Sequence, residues 1–143
     1  MEHYKSPVNI LLVEDNPADA ALTLEAFKQC RSHANITVLP NGMEALYYLR
    51  SSTIKLPDLI LLDLNLPRWD GKNLLQEIKS DAVLKRIPVV VLTSSNARND
   101  VMECYGLHAN CYVVKSLDVD QYFENIRDIE KFWLDTALLP SMV

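Results

Sequence analysis

The chain has 143 residues, 49% of them hydrophobic and 23% charged, which is the size and composition of one ordinary globular domain. Its formal net charge of −5 argues against general nucleic-acid binding, and its longest apolar runs are too short to cross a membrane. Residues 1–5 lack the apolar core of a signal peptide, and the three cysteines lack the paired spacing of a zinc site. We therefore expect a cytoplasmic protein that binds neither nucleic acid nor a membrane.

Short apolar segments alternate with amphipathic helical segments along the whole chain. In chain order, the sequence predicts a strand at about Val8–Val13, a helix from Pro17 to about Cys30, a strand at 36–39, a helix after Gly42, a strand at Leu59–Leu62, a helix after Gly71, a strand at 89–92, a helix at about 97–105, a strand at Cys111–Val114 and a long helix from Asp118. Continuous apolar strands between helices are typical of a parallel sheet covered on both faces. Because crossovers are right-handed, the pattern predicts a doubly wound, five-stranded α/β fold with five helices.

Four of the predicted strands are followed by a polar side chain. Glu14 and Asp15 follow the first strand, Asp63 the third, Thr93 the fourth and Lys115 the fifth. In open α/β sheets, ligands bind at the carboxyl edge of the strands. These side chains therefore predict a single site at that edge.

The chemistry of this site follows from its charges. The carboxylates of Glu14, Asp15 and Asp63 repel one another at close range, and a hard cation such as Mg²⁺ relieves that repulsion. With Mg²⁺ and Lys115 present, the three acids form a formally neutral site. One carboxylate could then attack phosphorus while the metal and the lysine stabilise charge on the transferred oxygens, and the Thr93 hydroxyl could reach the new phosphate.

The chain resembles a response-regulator receiver domain at these residues. The matching segments are 12–15 (Leu-Val-Glu-Asp), 61–67 (Leu-Leu-Asp-Leu-Asn-Leu-Pro) with 70–71, 91–94 (Val-Leu-Thr-Ser) and 112–115 (Tyr-Val-Val-Lys), in the order of the family. The resemblance implies the flavodoxin-like strand order 2-1-3-4-5 and a signalling regulator rather than an enzyme. It also implies phosphoryl transfer from a sensor histidine kinase, with Mg²⁺ as cofactor.

The resemblance assigns a role to individual residues. It implies that Asp63 is the phosphoacceptor, that Asp15 binds the metal directly and Glu14 mainly through water, and that the backbone carbonyl of Asn65 is a further metal ligand. It implies that Thr93 and Lys115 contact the phosphoryl group. Thr93 and Tyr112 form the implied switch pair, which acts on the face made by the fourth helix, fifth strand and fifth helix.

A narrower resemblance covers the C-terminal third. Segments 104–112, 115–116 and 129–134 are similar to the response regulators of cyanobacterial phytochromes. That similarity implies a receiver that stands alone and a light-regulated histidine kinase as its phosphodonor. We expect one domain over 1–143, with a core at about 8–133 and a tail at 134–143 that is too short for an output domain.

Two residues depart from the usual receiver pattern. Ser116 stands where most receivers have a proline after the lysine, often with a cis peptide bond. Since a cis bond before a non-proline residue costs about 2.5–4 kcal/mol, either strain or a different loop path is expected at Lys115. His108 stands where most receivers have glycine, and we interpret it as a turn residue because histidine tolerates a positive φ better than most side chains.

The last helix carries more large apolar side chains than one helix face needs to bury. We expect a homodimer through the face of the fourth and fifth helices and the tail, with Phe123, Ile126, Phe132 and Trp133 at the interface. The alternative is a tail that folds back onto its own domain.

Other functions remain open on the sequence alone. A degenerate receiver that binds partners constitutively is one, and Ser116 leaves room for it. A Mg²⁺-dependent phosphatase of the haloacid-dehalogenase type is another, but it needs an acid at the position of Asn65. A flavodoxin is weaker still, because the acidic first loop lacks donors for flavin phosphate.

Overall fold

The computed structural model describes residues 7–30 and 33–143 and contains one five-stranded parallel sheet in the order β2-β1-β3-β4-β5. The strands are β1 (Val8–Val13), β2 (Ala34–Leu39), β3 (Leu59–Leu62), β4 (Val89–Thr93) and β5 (Cys111–Val114). The helices between and after them are α1 (Pro17–Lys28), α2 (Gly42–Arg50), α3 (Gly71–Ser80), α4 (Arg98–Gly106) and α5 (Val119–Glu130). The predicted doubly wound, flavodoxin-like fold is therefore confirmed.

Side-chain caps fix where four of these helices begin. The Asn16 side chain accepts hydrogen bonds from the backbone N–H groups of Ala18 and Asp19 at the start of α1. Asn41, Asp70 and Asp118 cap the helices α2, α3 and α5 in the same way. Because each cap satisfies N–H groups that have no partner within the helix, it sets the residue at which the chain leaves the loop.

Alternate residues of the central strands pack on opposite faces of the sheet. Along β1, Leu11 and Val13 join the core under α2 and α3, whereas Ile10 and Leu12 join the core under α1 and α5. All four residues of β3 are fully buried. Burial on both faces is typical of a parallel sheet that is covered by helices on both sides.

Strand β2 begins two residues earlier than predicted. Ala34 pairs with Val8, so β2 matches the full length of β1. Ala34 and Asn35 have little intrinsic strand preference, and pairing with a central strand outweighs that preference.

The chain after α5 folds back onto the domain. A π-helical segment (Lys131–Thr136) continues α5, and a 3₁₀ turn (Pro140–Met142) follows it. Leu134 and Leu139 are 4% and 1% exposed and belong to the core under α1 and α5. The tail is therefore part of the hydrophobic core.

No helix within the described residues has the length and hydrophobicity needed to cross a bilayer. Residues 1–5, the segment without an apolar signal core, lie outside them.

Candidate functional site

Three carboxylates meet at the carboxyl edge of the sheet. The backbone ladder continues one residue past two strands, because the Glu14 N–H donates to the carbonyl of Leu39 and the Asp63 N–H to that of Val13. Oxygens of Glu14, Asp15 and Asp63 lie within 4.8 Å of one another. Glu14 and Asp63 are buried and Asp15 is exposed. We call these three residues the acidic cluster.

Lys115 reaches this cluster from the end of β5, the edge strand that pairs with β4. Its backbone N–H donates to the carbonyl of Thr93, which extends the pairing of β4 and β5 by one residue. Its Nζ lies 2.5 Å from Glu14 Oε1, 3.2 Å from Asp63 Oδ2 and 3.3 Å from Asp19 Oδ2. The side chain is 11% exposed, so the ammonium is largely screened from water.

Burial and charge set the protonation of these groups. Burial, followed by the neighbouring carboxyl of Asp63, raises the pKa of Glu14 to about 7, against the opposing effect of Lys115. Burial would also raise the pKa of Asp63, but Glu14, Lys115 and the Asn65 N–H together hold it below its usual value. Burial disfavours the ammonium, yet Glu14 and Asp63 outweigh this effect and raise the pKa of Lys115. At neutral pH, Asp63 is therefore an ionised carboxylate beside a charged lysine.

Asn65 lies directly beside the central carboxylate. Its backbone N–H donates to Asp63 Oδ1 at 3.1 Å. The Gly71 N–H, at the first residue of α3, donates to the Leu64 carbonyl at 3.0 Å and fixes the same loop from the other side. The loop after β3 is thus held by its own backbone and by α3.

The two predicted switch residues are joined through Ser95. Thr93 is fully buried at the end of β4, and its Oγ1 accepts a long, 3.5 Å hydrogen bond from the Ser95 N–H. The Tyr112 hydroxyl donates to the Ser95 carbonyl at 2.8 Å, and its ring packs partly buried against the core under α2 and α3. The backbone of Ser95 therefore connects the Thr93 hydroxyl with the Tyr112 hydroxyl through one hydrogen bond on each side.

An ion-pair network ties the same loop to α3 and α4. Lys72 Nζ lies 2.6 Å from Asp100 Oδ1 and 2.8 Å from Glu103 Oε2, and the Ser95 hydroxyl donates to the other oxygen of Asp100. Sequence motifs do not indicate this network, because its members come from two helices and a loop. The signal available in the sequence was the pair Asp100 and Glu103, which lie three residues apart and so share one helix face.

The two departures from the receiver pattern are accommodated by the backbone. The Lys115–Ser116 peptide bond is trans, and the Ser116 hydroxyl oxygen accepts a hydrogen bond from the Asp118 N–H. Lys115 therefore reaches Glu14 and Asp63 without a cis bond before Ser116. His108 has φ 72° and lies two residues after the end of α4, where its N–H donates to the Tyr105 carbonyl, so its interpretation as a turn residue is confirmed.

The predicted interface residues do not lie together on the surface. Ile126 is fully buried and its assignment to an interface is wrong, because the inner face of α5 packs on the sheet. Phe123 and Trp133 are partly buried against the same core. Phe132 is 51% exposed, with its ring edge-on to Trp133 at 4.9 Å between centroids. Of the four, Phe132 is the side chain best placed for a partner.

Comparison with known proteins identifies the family. The model of the response regulator receiver domain matches residues 10–127. The chain belongs to the response-regulator receiver family. It is therefore a two-component response regulator, as the sequence motifs implied.

Two relatives align with the chain over most of their own length. The chain is 45% identical to the response regulator Rcp1 of Synechocystis, over 94% of this chain and 95% of that protein. It is 40% identical to the probable methanogenesis regulatory protein FilR2 of Methanothrix harundinacea, over 91% and 86%. The crystal structure of the phosphorylated cyanobacterial phytochrome response regulator RcpA is similar at TM-score 0.90 and 48% identity, covering 94% of this chain and 99% of that one. The Mn²⁺-bound form of Rcp1 is similar at TM-score 0.89 and 45% identity, over 94% and 99%.

Proposed function

We propose that this receiver is a phosphorylation-controlled switch in which Asp63 accepts a phosphoryl group from a sensor histidine kinase. The observation that carries the proposal is the placement of an ionised Asp63 against Lys115 inside the acidic cluster. A carboxylate oxygen of Asp63 attacks the phosphorus of a phosphohistidine. The phosphorus–nitrogen bond breaks, and the imidazole leaves with its electron pair.

Mg²⁺ is the cofactor that we propose for this step. Asp15 and Asp63 would hold it with their carboxylates, Glu14 mainly through water, and Asn65 with its backbone carbonyl. This set of ligands fits a hard cation, because every donor atom is an oxygen. In addition, three of the carboxylate oxygens already lie within 4.8 Å of one another. When bound, the ion supplies positive charge against the oxygens of the transferred group.

The remaining polar groups contact the phosphoryl group on Asp63 and change position in response to it. The Lys115 ammonium neutralises part of the charge on the phosphoryl oxygens, and the Thr93 hydroxyl moves towards them. This movement would break the long contact from the Ser95 N–H to Thr93. Since Ser95 also holds the Tyr112 hydroxyl, the change reaches the face made by α4, β5 and α5.

We further propose a phytochrome-type kinase as the phosphodonor. Similarity at 45–48% identity over 94% of this chain to RcpA and Rcp1 supports this proposal. We also propose a single cytoplasmic receiver over 1–143 that forms a homodimer through the face of α4 and α5, with the exposed Phe132 at the interface. The phosphatase alternative receives no support. It needs an acid two residues after Asp63, where this chain has Asn65, and the chain belongs to the receiver family.

The decisive test is the intact mass of wild type and Asp63→Asn after incubation with Mg²⁺ and acetyl phosphate. We expect one phosphoryl group on the wild type and none on the variant or without Mg²⁺. Beryllofluoride, which imitates a phosphoryl group on a carboxylate, should also change the fluorescence of Trp69 and Trp133. A wild type that neither gains mass nor responds to beryllofluoride would refute the proposal and favour a constitutive binding module.

A further inference from the structure

Lys115 contacts an acid that belongs neither to the acidic cluster nor to the receiver motifs. Asp19 Oδ2, in the first turn of α1, lies 3.3 Å from Lys115 Nζ. The Asp19 side chain is 45% exposed, whereas those of Glu14 and Asp63 are 2% and 8% exposed. Asp19 is therefore the one partner of this lysine that is open to solvent among the three ion pairs.

The backbone holds Asp19 in a fixed position. Its N–H donates to Asn16 Oδ1 at 3.1 Å, and its carbonyl accepts from the Thr23 hydroxyl at 2.9 Å. Thr23 Oγ1 in turn shares a buried hydrogen bond with the Tyr122 hydroxyl of α5. Asp19 is thus a fixed negative charge aimed at Lys115 from α1.

The three N–H donors of the Lys115 ammonium are matched by three carboxylate acceptors, so a phosphoryl group has to displace one of them. A lysine carries three N–H donors, and Glu14, Asp63 and Asp19 provide three acceptors for them. The contact with Glu14 is short and buried, and Asp63 carries the incoming group itself. The Asp19 contact is the longest and most exposed of the three, so it is the one most easily lost.

We propose that Asp19 is a positioning residue that competes with the phosphoryl group for the ammonium of Lys115, an inference that rests on the function proposed above. Asp19 draws the ammonium towards α1 in the unphosphorylated protein and releases it when Asp63 is modified. Phosphorylation also adds negative charge at Asp63. The Asp19 carboxylate repels that added charge, since both acids contact the Lys115 ammonium. Loss of the Asp19 charge should therefore favour the modified state.

The test is a titration with beryllofluoride in the presence of Mg²⁺, followed by the fluorescence of Trp69. Asp19→Asn keeps the shape of the side chain and removes its charge. We expect the dissociation constant to fall about two- to fivefold, the range for a partly exposed ion pair. Asp19→Glu retains the charge and should stay closer to the wild type than Asp19→Asn does.

A matched control separates the contact from the net charge. Glu25→Gln removes the same charge from an exposed position of α1. The ¹⁵N resonance of the Lys115 ammonium should move in Asp19→Asn and stay in place in Glu25→Gln, which a purely structural role of Asp19 would not produce. An unchanged or weaker affinity in Asp19→Asn, or an equal gain in Glu25→Gln, would overturn the inference. Failure of the wild type to bind beryllofluoride would instead count against the proposed function.

Discussion

Gly71 is the position at which a single methyl group should do most damage to the loop of the acceptor. An ideal Cβ on Gly71 would lie 2.5 Å from the carbonyl oxygen of Asp63 and 2.7 Å from Cα of Leu64. Both are backbone atoms, and Gly71 itself donates its N–H to the Leu64 carbonyl at 3.0 Å. Neither side can give way by a change of rotamer, so α3 or the Asp63 loop must move.

The loss of stability expected for Gly71→Ala follows from this geometry. Adding a methyl group to a well-packed region costs about 1–3 kcal/mol, and contact with immobile backbone places Gly71→Ala in the upper part of that range. Gly106, at the end of α4, provides the matched control, because nothing lies within 4 Å of its ideal Cβ. In a helix, alanine is more stable than glycine by about 0.5–1 kcal/mol, so Gly106→Ala should stabilise.

The assay is chemical unfolding of both variants and the wild type by urea. The free energies of unfolding of the two variants should differ by about 2.5–4 kcal/mol, with Gly71→Ala the less stable. The rate at which acetyl phosphate modifies Asp63 should also fall in Gly71→Ala alone. If Gly71→Ala is as stable as the wild type, the close approach of α3 to the Asp63 peptide is not a packing constraint.

Two further predictions concern the tail. Leu139→Ala should lower the free energy of unfolding by about 2–5 kcal/mol because Leu139 is 1% exposed, whereas Leu138→Ala should change it by less than about 0.5 kcal/mol because Leu138 is 74% exposed; equal effects in urea unfolding would contradict the packing of the tail. For the proposed homodimer, Phe132→Asp should lower the mass seen in sedimentation to that of a monomer without loss of fold, while Val83→Asp, at an exposed position between α3 and β4, should not. A wild type that sediments as a monomer, phosphorylated or not, would rule the dimer out.

Much of the fold could be predicted because its signals are local. The fully apolar segment Leu59–Leu62 has the length of a buried strand, and the polar residue after it has to lie at the edge of the sheet. Asn16 before Pro17 likewise marks a helix start from two adjacent residues. The beginning of β2 could not be found in this way, because Ala34 is placed by its pairing with Val8.

The members of the acidic cluster were predictable for the same reason, but the partners of Lys115 were not. Each acid follows a strand, and the strand order alone brings them to one edge. Which carboxylates the lysine contacts depends on the direction of its side chain and on the start of α1. Asp19 lies four residues after Asp15, and the Asn16 cap that orients it could be recognised only as a helix start.

Fewer apolar side chains of α5 and the tail are exposed than their number in the sequence suggests. Along α5 and the tail, the sequence spacing cannot tell whether Leu134 and Leu139 extend an exposed stripe or complete the core, because the answer depends on where the chain reverses after Thr136. The π-helical segment continues α5 and carries Leu134 inward, while Phe132 stays half exposed. Truncation before Phe132 would therefore remove core side chains together with surface ones, so a change in its sedimentation could not be assigned to an interface. A charge placed at Phe132 tests the surface while leaving both buried leucines in the core.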